Sequence, residues 1–394
     1  TLTSILLSAI FYLFKEDFGA AIALSSEYFG LLIYVILILF FDTLALIPFN
    51  ALRLERKTKK FALIKLTNIV INLSLNLILI LKYDYGIEAI FISNLAASIF
   101  SFVVLIPDLI KRFRFKIDKP ILVKMLKFGI PYLPAALAST VVQIIDVPIV
   151  ERLTDTETLG LYRANYKLGI FMMLFVQMFN FAWQPFFLEN VKEKNAKEIF
   201  SKILTLFLIT GSIIWITLSL FVEDIATIEI MNGRTLLGKE FLEGLYIVPI
   251  ILLAYLFNGL YVNFTAGIYI EEKTKYFVLV TGAGAIVNVI VNLILIPQLG
   301  IMGAALATLA SYVVMAVGLF IVSQKFYKID YEYLKIIKIF FIIFAAGILY
   351  FYLYYIGALN IGIKFLIFFG FISSLFVFRI INKDEIVRTL KSFK

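Results

Sequence analysis

Two neighbouring apolar stretches carry polar side chains at helical spacing. In one, Arg163, Lys167, Gln177, Asn180 and Gln184 fall close to a single helical face. In the stretch before it, Ser139, Gln143 and Asp146 do the same, with Tyr132 and Pro134 nearer the inner end. Polar groups inside a lipid-spanning helix are costly, so each is a functional candidate. The stripes have two readings. They line one water-filled cavity, or Arg163 and Lys167 snorkel to the outer interface while Asp146 pairs with one of them. Asp42 is also mid-span, either an ion or proton site or half of a buried polar pair. Asn72 and Asn76 recur as Asn288 and Asn292, a symmetry that argues for helix–helix hydrogen bonds and not for a substrate site. Lys65, one turn inside its span, reads as snorkelling, and Trp183 followed by Pro185 reads as a kink.

The elements that must hold these groups follow from composition. Of 394 residues, 62% are hydrophobic and 16% charged, and the mean hydropathy is +0.98. A soluble domain has roughly 45–50% apolar residues. The apolar residues come in runs of about 20, long enough to span a bilayer as helices. Twelve segments are read, near 1–14, 28–50, 61–81, 87–110, 124–150, 165–187, 200–222, 244–266, 277–297, 300–323, 334–356 and 361–381. The first is shorter than the roughly 20 residues a span needs. The chain also starts with Thr1, and both facts point to a sequence cut inside a helix.

The composition also excludes chemistries. With no Cys there is no disulfide, thiol nucleophile or Cys-ligated metal, and with no His there is no Ser-His-Asp triad or His relay. No G-x-x-x-x-G-K-[ST] motif for ATP occurs. No cofactor and no metal are expected. The net charge of +9 reflects loops, not nucleic-acid binding. Most of the Lys and Arg fall in alternate loops, such as Arg53–Lys60, Lys111–Lys127, Lys192–Lys202 and the C-terminal tail. The positive-inside rule makes that side cytoplasmic and puts the C-terminus inside.

An internal repeat organises the segments. Leu54-Glu55-Arg56-Lys57-Thr58-Lys59-Lys60-Phe61 matches Ile270-Glu271-Glu272-Lys273-Thr274-Lys275-Tyr276-Phe277. The match continues through the Asn pairs, through Leu77–Ile80 with Leu293–Ile296, and through Gly86-Ile87 with Gly300-Ile301. Upstream, Glu16-Asp17 matches Glu223-Asp224. Both copies place the basic loop on the same side, so the repeats are parallel and predict two helical lobes around a central cavity. The expected domains are a first lobe over 1–118, a six-helix lobe over 119–325, and an added helix pair with tail over 326–394. The repeat spacing predicts an upstream extension of roughly 80–90 residues with two more spans, about fourteen in all.

The basic loop with its Asn pair, the stretch Pro297-Gln298-Leu299-Gly300-Ile301-Met302-Gly303-Ala304-Ala305, and Lys127-Phe128-Gly129-Ile130-Pro131 followed by Gly160-Leu161-Tyr162 together resemble a known family. It is the polysaccharide-exporter, or O-antigen (Wzx-type) flippase, branch of the multidrug/oligosaccharidyl-lipid/polysaccharide (MATE-like) superfamily. The resemblance implies an all-α polytopic transporter in the bacterial cytoplasmic membrane, not an enzyme. It implies a protein that flips an undecaprenyl-diphosphate-linked oligosaccharide to the outer leaflet by alternating access. Implied partners are that substrate, membrane lipids and other glycan-assembly proteins. A peptidoglycan-precursor flippase and a cation-coupled drug exporter are the alternatives, and a membrane glycosyltransferase or polymerase lacks a sizeable loop here. Arg163 and Lys167 would then hold the diphosphate, with Gln143, Asp146, Gln177 and Asn180 lining the sugar path. Asp42 or Asp146 would couple an ion. Relatives often have Asp followed directly by a basic residue, whereas Val147 and Pro148 follow Asp146, so a local partner would have to be Arg152 or a neighbour.

Overall fold

Inside a bilayer a single segment satisfies its backbone hydrogen bonds only as a helix, and the computed structural model is helical throughout its spans. It describes residues 2–17, 29–112, 118–130, 132–231 and 234–381. Pro131, Arg114, Lys116, Lys383, Arg388, Lys391 and Lys394 from the sequence reading lie outside those residues. In chain order the helices are α1 Leu2–Leu13, α2 Leu31–Leu54, α3 Thr58–Tyr83, α4 Glu88–Arg112, α5 Lys119–Gly129, α6 Tyr132–Ile144, α7 Asp146–Leu153 and α8 Thr156–Tyr166. They continue with α9 Ile170–Asn190, α10 Ala196–Ala226, α11 Val248–Ile270, α12 Lys275–Leu299, α13 Ile301–Phe326, α14 Tyr333–Tyr355 and α15 Ile361–Val377. A hairpin of β1 Glu229–Met231 and β2 Arg234–Thr235 and a 3-10 segment Lys239–Ile247 separate α10 from α11. Among the described residues ten helical stretches are long and apolar enough to cross a membrane, and Ser4–Leu13 and Ile361–Val377 are shorter apolar helices.

The chain divides into two compact units, Thr1–Ile117 and Asp118–Lys394. In the first, Ala45, Phe49 and Leu52 of α2 pack with Ile64 of α3 and Leu105 of α4. Polar ties join the same helices. Tyr34 donates to Glu88 Oε1 at 2.8 Å, Lys60 pairs with Asp108, and Asn68 Nδ2 donates to Ala97 O and Ser101 Oγ.

The second unit holds the larger core. α11 and α13 pack closely along their length, and α14 and α15 pack on α10. Trp183 and Trp215 are buried there and donate their indole N–H to Asn263 O and Pro249 O. α9 continues as one helix through Pro185. In the first turn of α15, Lys364 is 4% exposed and meets Asp224 Oδ2 at 2.6 Å.

The repeat is visible in backbone geometry. Arg56 and Glu272, equivalent in the two copies, have φ of 54° and 52°. Lys57 N donates to Leu52 O at 2.9 Å, and Lys273 N donates to Ile268 O at 2.9 Å. Each copy thus ends its helix with the same left-handed cap, which satisfies carbonyls that would otherwise be orphaned. Gly86 and Gly300 share a φ of +55°, where an L side chain is strained. Gly303 follows because a Cβ there would sit 2.5 Å from the Leu295 carbonyl, so α12 and α13 touch at backbone.

Two expected spans differ in form. The segment read over 124–150 is a 35-residue run, Lys119–Leu153, broken into α5, α6 and α7. Pro148 has no N–H for the Ile144 carbonyl, and the helix breaks at Ile145. The segment read over 165–187 runs from Thr156 to Asn190, with a 3-10 turn at Lys167–Gly169. A 3-10 turn advances about 120° per residue against about 100° in an α-helix, so three residues rotate the following face by roughly 60°. The stripe from Arg163 to Gln184 is therefore not one continuous face.

Candidate functional site

The helix break puts a carboxylate where three other helices can reach it. Asp146 is the first residue of α7 and is 2% exposed. Asn292 Nδ2 of α12 donates to Asp146 Oδ1 at 2.7 Å. Tyr162 OH of α8 and Thr308 Oγ1 of α13 donate to Oδ2 at 3.0 and 2.7 Å. Asn292 Nδ2 also reaches Asn288 Oδ1 one turn back, at 3.0 Å. Tyr162, Asn288, Asn292 and Thr308 are each at most 1% exposed.

All of these partners are neutral. Among the described residues no Lys or Arg pairs with Asp146, so the alternative reading in which it pairs with Arg163 or Lys167 is not seen, nor is a local pairing with Arg152. The physical reason is orientation. Arg163 and Lys167 lie on exposed positions of α8 and the 3-10 turn, whereas Tyr162, one position earlier, faces inward. A buried ionised carboxylate without a countercharge is expensive. Neutral donors offset part of that cost, and a bound proton or small cation can offset the rest. Among the described residues Asn292 Oδ1 is buried without a partner, so the cage retains unused hydrogen-bonding capacity. Tyr166, Tyr255 and Tyr312 extend the polar cluster, with Tyr255 OH donating to Tyr166 OH at 3.2 Å and Tyr312 OH unpartnered.

The other candidates are dispersed. Gln143, Gln177 and Asn180 occupy exposed positions, and Gln184 and Ser139 are half-buried. Asp42 is exposed on α2, in the other unit. Lys65 lies 4.4 Å from the Phe49 ring centroid. Among the described residues no group of three or more acidic residues could hold a metal ion. Asn288, Asn292, Tyr162 and Thr308 were not read as site residues. Asn288 and Asn292 stood out only as a repeated polar pair at i, i+4 and Tyr162 only as part of a motif, and neither signal distinguishes a site from a helix contact.

This arrangement of helices is shared with solved transporters. The Vibrio cholerae MATE transporter VcmN, as a point mutant, superposes with a TM-score of 0.69 at 14% identity, covering 82% of this chain and 76% of its own. The lipid II flippase MurJ in an inward closed conformation gives 0.65 at 21% identity, over 95% of this chain and 81% of its own. A transporter of the MOP superfamily from Pyrococcus furiosus, with a binding pocket described as of reverse polarity, gives 0.67 at 12% identity over 82% and 75%. The fold is MATE-like. Within this MATE-like chain the polysaccharide biosynthesis protein family matches residues 1–187, which include the first unit, Asp146 and most of α9. No curated protein matches. The resemblance to MATE-like polysaccharide exporters carried by the sequence motifs thus stands. With ten helical stretches long and apolar enough to cross a membrane among the described residues, this fold is that of a multi-pass membrane protein.

Proposed function

We propose that the chain flips an undecaprenyl-diphosphate-linked oligosaccharide from the cytoplasmic to the outer leaflet by alternating access, driven by a monovalent cation or proton that Asp146 takes up. The observation that carries the coupling is the buried Asp146 carboxylate with hydrogen-bond donors from three helices and, among the described residues, no cationic partner. A proton would neutralise it, and the Tyr162 and Thr308 hydroxyls can accept as well as donate. A small hard cation would find carboxylate, hydroxyl and amide oxygens, the ligand type such ions prefer. The polysaccharide-family match over residues 1–187 supports the substrate class.

Arg163 and Lys167 remain the proposed diphosphate contacts. They are exposed and four residues apart at the outer end of their span. In this proposal the membrane is the bacterial inner membrane and the C-terminus is cytoplasmic, as the loop charges indicate. The 21%-identical MurJ fold over 95% of the chain supports one second reading, a peptidoglycan lipid-precursor flippase.

The test is reconstitution with fluorescent polyprenyl-diphosphate oligosaccharide and, in parallel, the peptidoglycan precursor. Transfer between leaflets is measured with imposed sodium or proton gradients. Transfer of the oligosaccharide lipid that rises with either gradient supports the proposal. Transfer of the peptidoglycan precursor alone moves the chain to the second reading. Gradient-independent transfer removes Asp146 from the mechanism.

A further inference from the structure

Helix α5 has no task as part of a membrane span. The run Lys119–Leu153 has 35 residues, about 52 Å at 1.5 Å per residue against a hydrocarbon core of about 30 Å. Residues 132–153, covered by α6 and α7, already supply about 33 Å. The surplus is α5, and the turn after Gly129 separates it from α6.

α5 is built to stand alone. Asp118 caps it by accepting from Ile121 N at 3.1 Å, and Pro120 sits in its first turn. At its other end Thr274 Oγ1 donates to Phe128 O at 3.0 Å. Yet none of its residues is buried: Ile121, Leu122, Met125 and Leu126 are 44–66% exposed. At 100° per residue the three lysines, Lys119, Lys124 and Lys127, occupy an arc of about 140°, and Ile121, Leu122, Met125, Leu126 and Phe128 fill roughly the opposite 160°. On the lysine side Pro120, Val123, Lys124 and Lys127, with Phe128 at the edge of the apolar arc and Glu272, form a concavity of about 350 Å³. Lys124 pairs with Glu272 at 3.0 Å, which holds the helix against the repeated basic loop. In sequence Lys111, Arg112, Arg114 and Lys116 precede it.

We infer that α5 is an interfacial helix that binds the anionic phospholipids of the cytoplasmic leaflet. Its apolar arc enters the acyl boundary, and Lys119 and Lys127 meet anionic headgroups. The charge sign and the cluster of basic residues select an anionic surface. Capping at both ends means that the helix need not fold on the membrane. Through Thr274 and Glu272 the contact also fixes the inner end of α6, the helix that leads to Asp146. The side assigned rests on the orientation proposed above, while the lipid contact itself does not.

The absence of Cys makes the test clean, because one introduced cysteine is a unique label site. Leu122→Cys on the apolar arc and Val123→Cys on the lysine arc are each labelled with a small fluorophore in the full chain. Both are placed in nanodiscs, with and without roughly 30% phosphatidylglycerol. We expect a lipid-borne nitroxide to quench the Leu122 probe at least about threefold more than the Val123 probe. Phosphatidylglycerol should widen that ratio, and Lys119→Gln with Lys127→Gln should abolish the widening. Equal quenching at the two positions, or a ratio that ignores phosphatidylglycerol with the lysines intact, overturns the inference. So does a phosphatidylglycerol effect removed by soluble inorganic diphosphate at constant ionic strength, which would make the concavity a phosphate site. Leaflet transfer is not measured here, so the outcome is independent of the transport substrate.

Discussion

The two copies of the asparagine pair have the same internal bond and different surroundings. Asn76 Nδ2 donates to Asn72 Oδ1 at 2.8 Å on α3, and Asn292 Nδ2 donates to Asn288 Oδ1 at 3.0 Å on α12. The α3 pair is half-buried, and among the described residues Asn76 Oδ1 has no partner. The α12 pair is fully buried, and Asn292 also donates to Asp146. One local motif therefore serves a helix face in one unit and an ionisable centre in the other. Repeat symmetry conserves the backbone and leaves the third partner to set the chemistry.

The largest test of that contrast is Asp146→Asn. It keeps the side chain's size and removes the charge, and we expect gradient-driven transfer to fall at least about tenfold with membrane insertion unchanged. Unaltered transfer would make the α12 pair as structural as its copy. The next effect is on stability. Asn292→Ala removes a bond to a buried carboxylate and should cost about 2 kcal/mol, whereas Asn76→Ala should cost about 0.6 kcal/mol, typical of membrane hydrogen bonds. Denaturation in detergent measures both, and equal losses would erase the distinction between the copies.

In the second copy the acidic pair has an ion-pair partner. Asp224 binds a buried Lys364, so Asp224→Ala strands an ammonium and should cost about 1–2 kcal/mol, less than a fully buried pair because Asp224 is itself 44% exposed. Lys364→Met should cost less, since it removes the buried charge. A larger loss for Lys364→Met would refute that reasoning. The smallest difference between the copies is expected at the shared glycine turn. Gly86→Ala and Gly300→Ala each meet open space and suffer only backbone strain from their positive φ, roughly 1–3 kcal/mol. A difference of more than about 1 kcal/mol between them would show that the shared turn carries unequal loads.

Much of the fold was legible because hydropathy and length decide spans directly. All twelve apolar segments correspond to helices, and the basic loop matched its copy down to the left-handed residue at Arg56 and Glu272. The helix breaks were less legible. Pro148 was visible, but only the fold shows that Ile145 gives way and turns Asp146 toward α12 and α13. The site was half legible. Asp146 stood out as a charge within a span, whereas its donors lie 16, 146 and 162 residues away. No periodicity links such positions. The basic stripe was readable as a pattern, but a 3-10 turn of three residues was enough to rotate it.

The solitary carboxylate of the Asp146 cage has a thermodynamic consequence under the proposed function. One acid without a second charged ligand takes up one monovalent ion per cycle. That ion brings about 2.3 kcal/mol per 100 mV of membrane potential and about 1.4 kcal/mol per tenfold concentration gradient. Together they limit the work available from coupling to a leaflet ratio of a few hundredfold for the cargo, set by stoichiometry and not by how tightly the cargo binds. A steeper ratio would have to come from consumption of the cargo on the outer face.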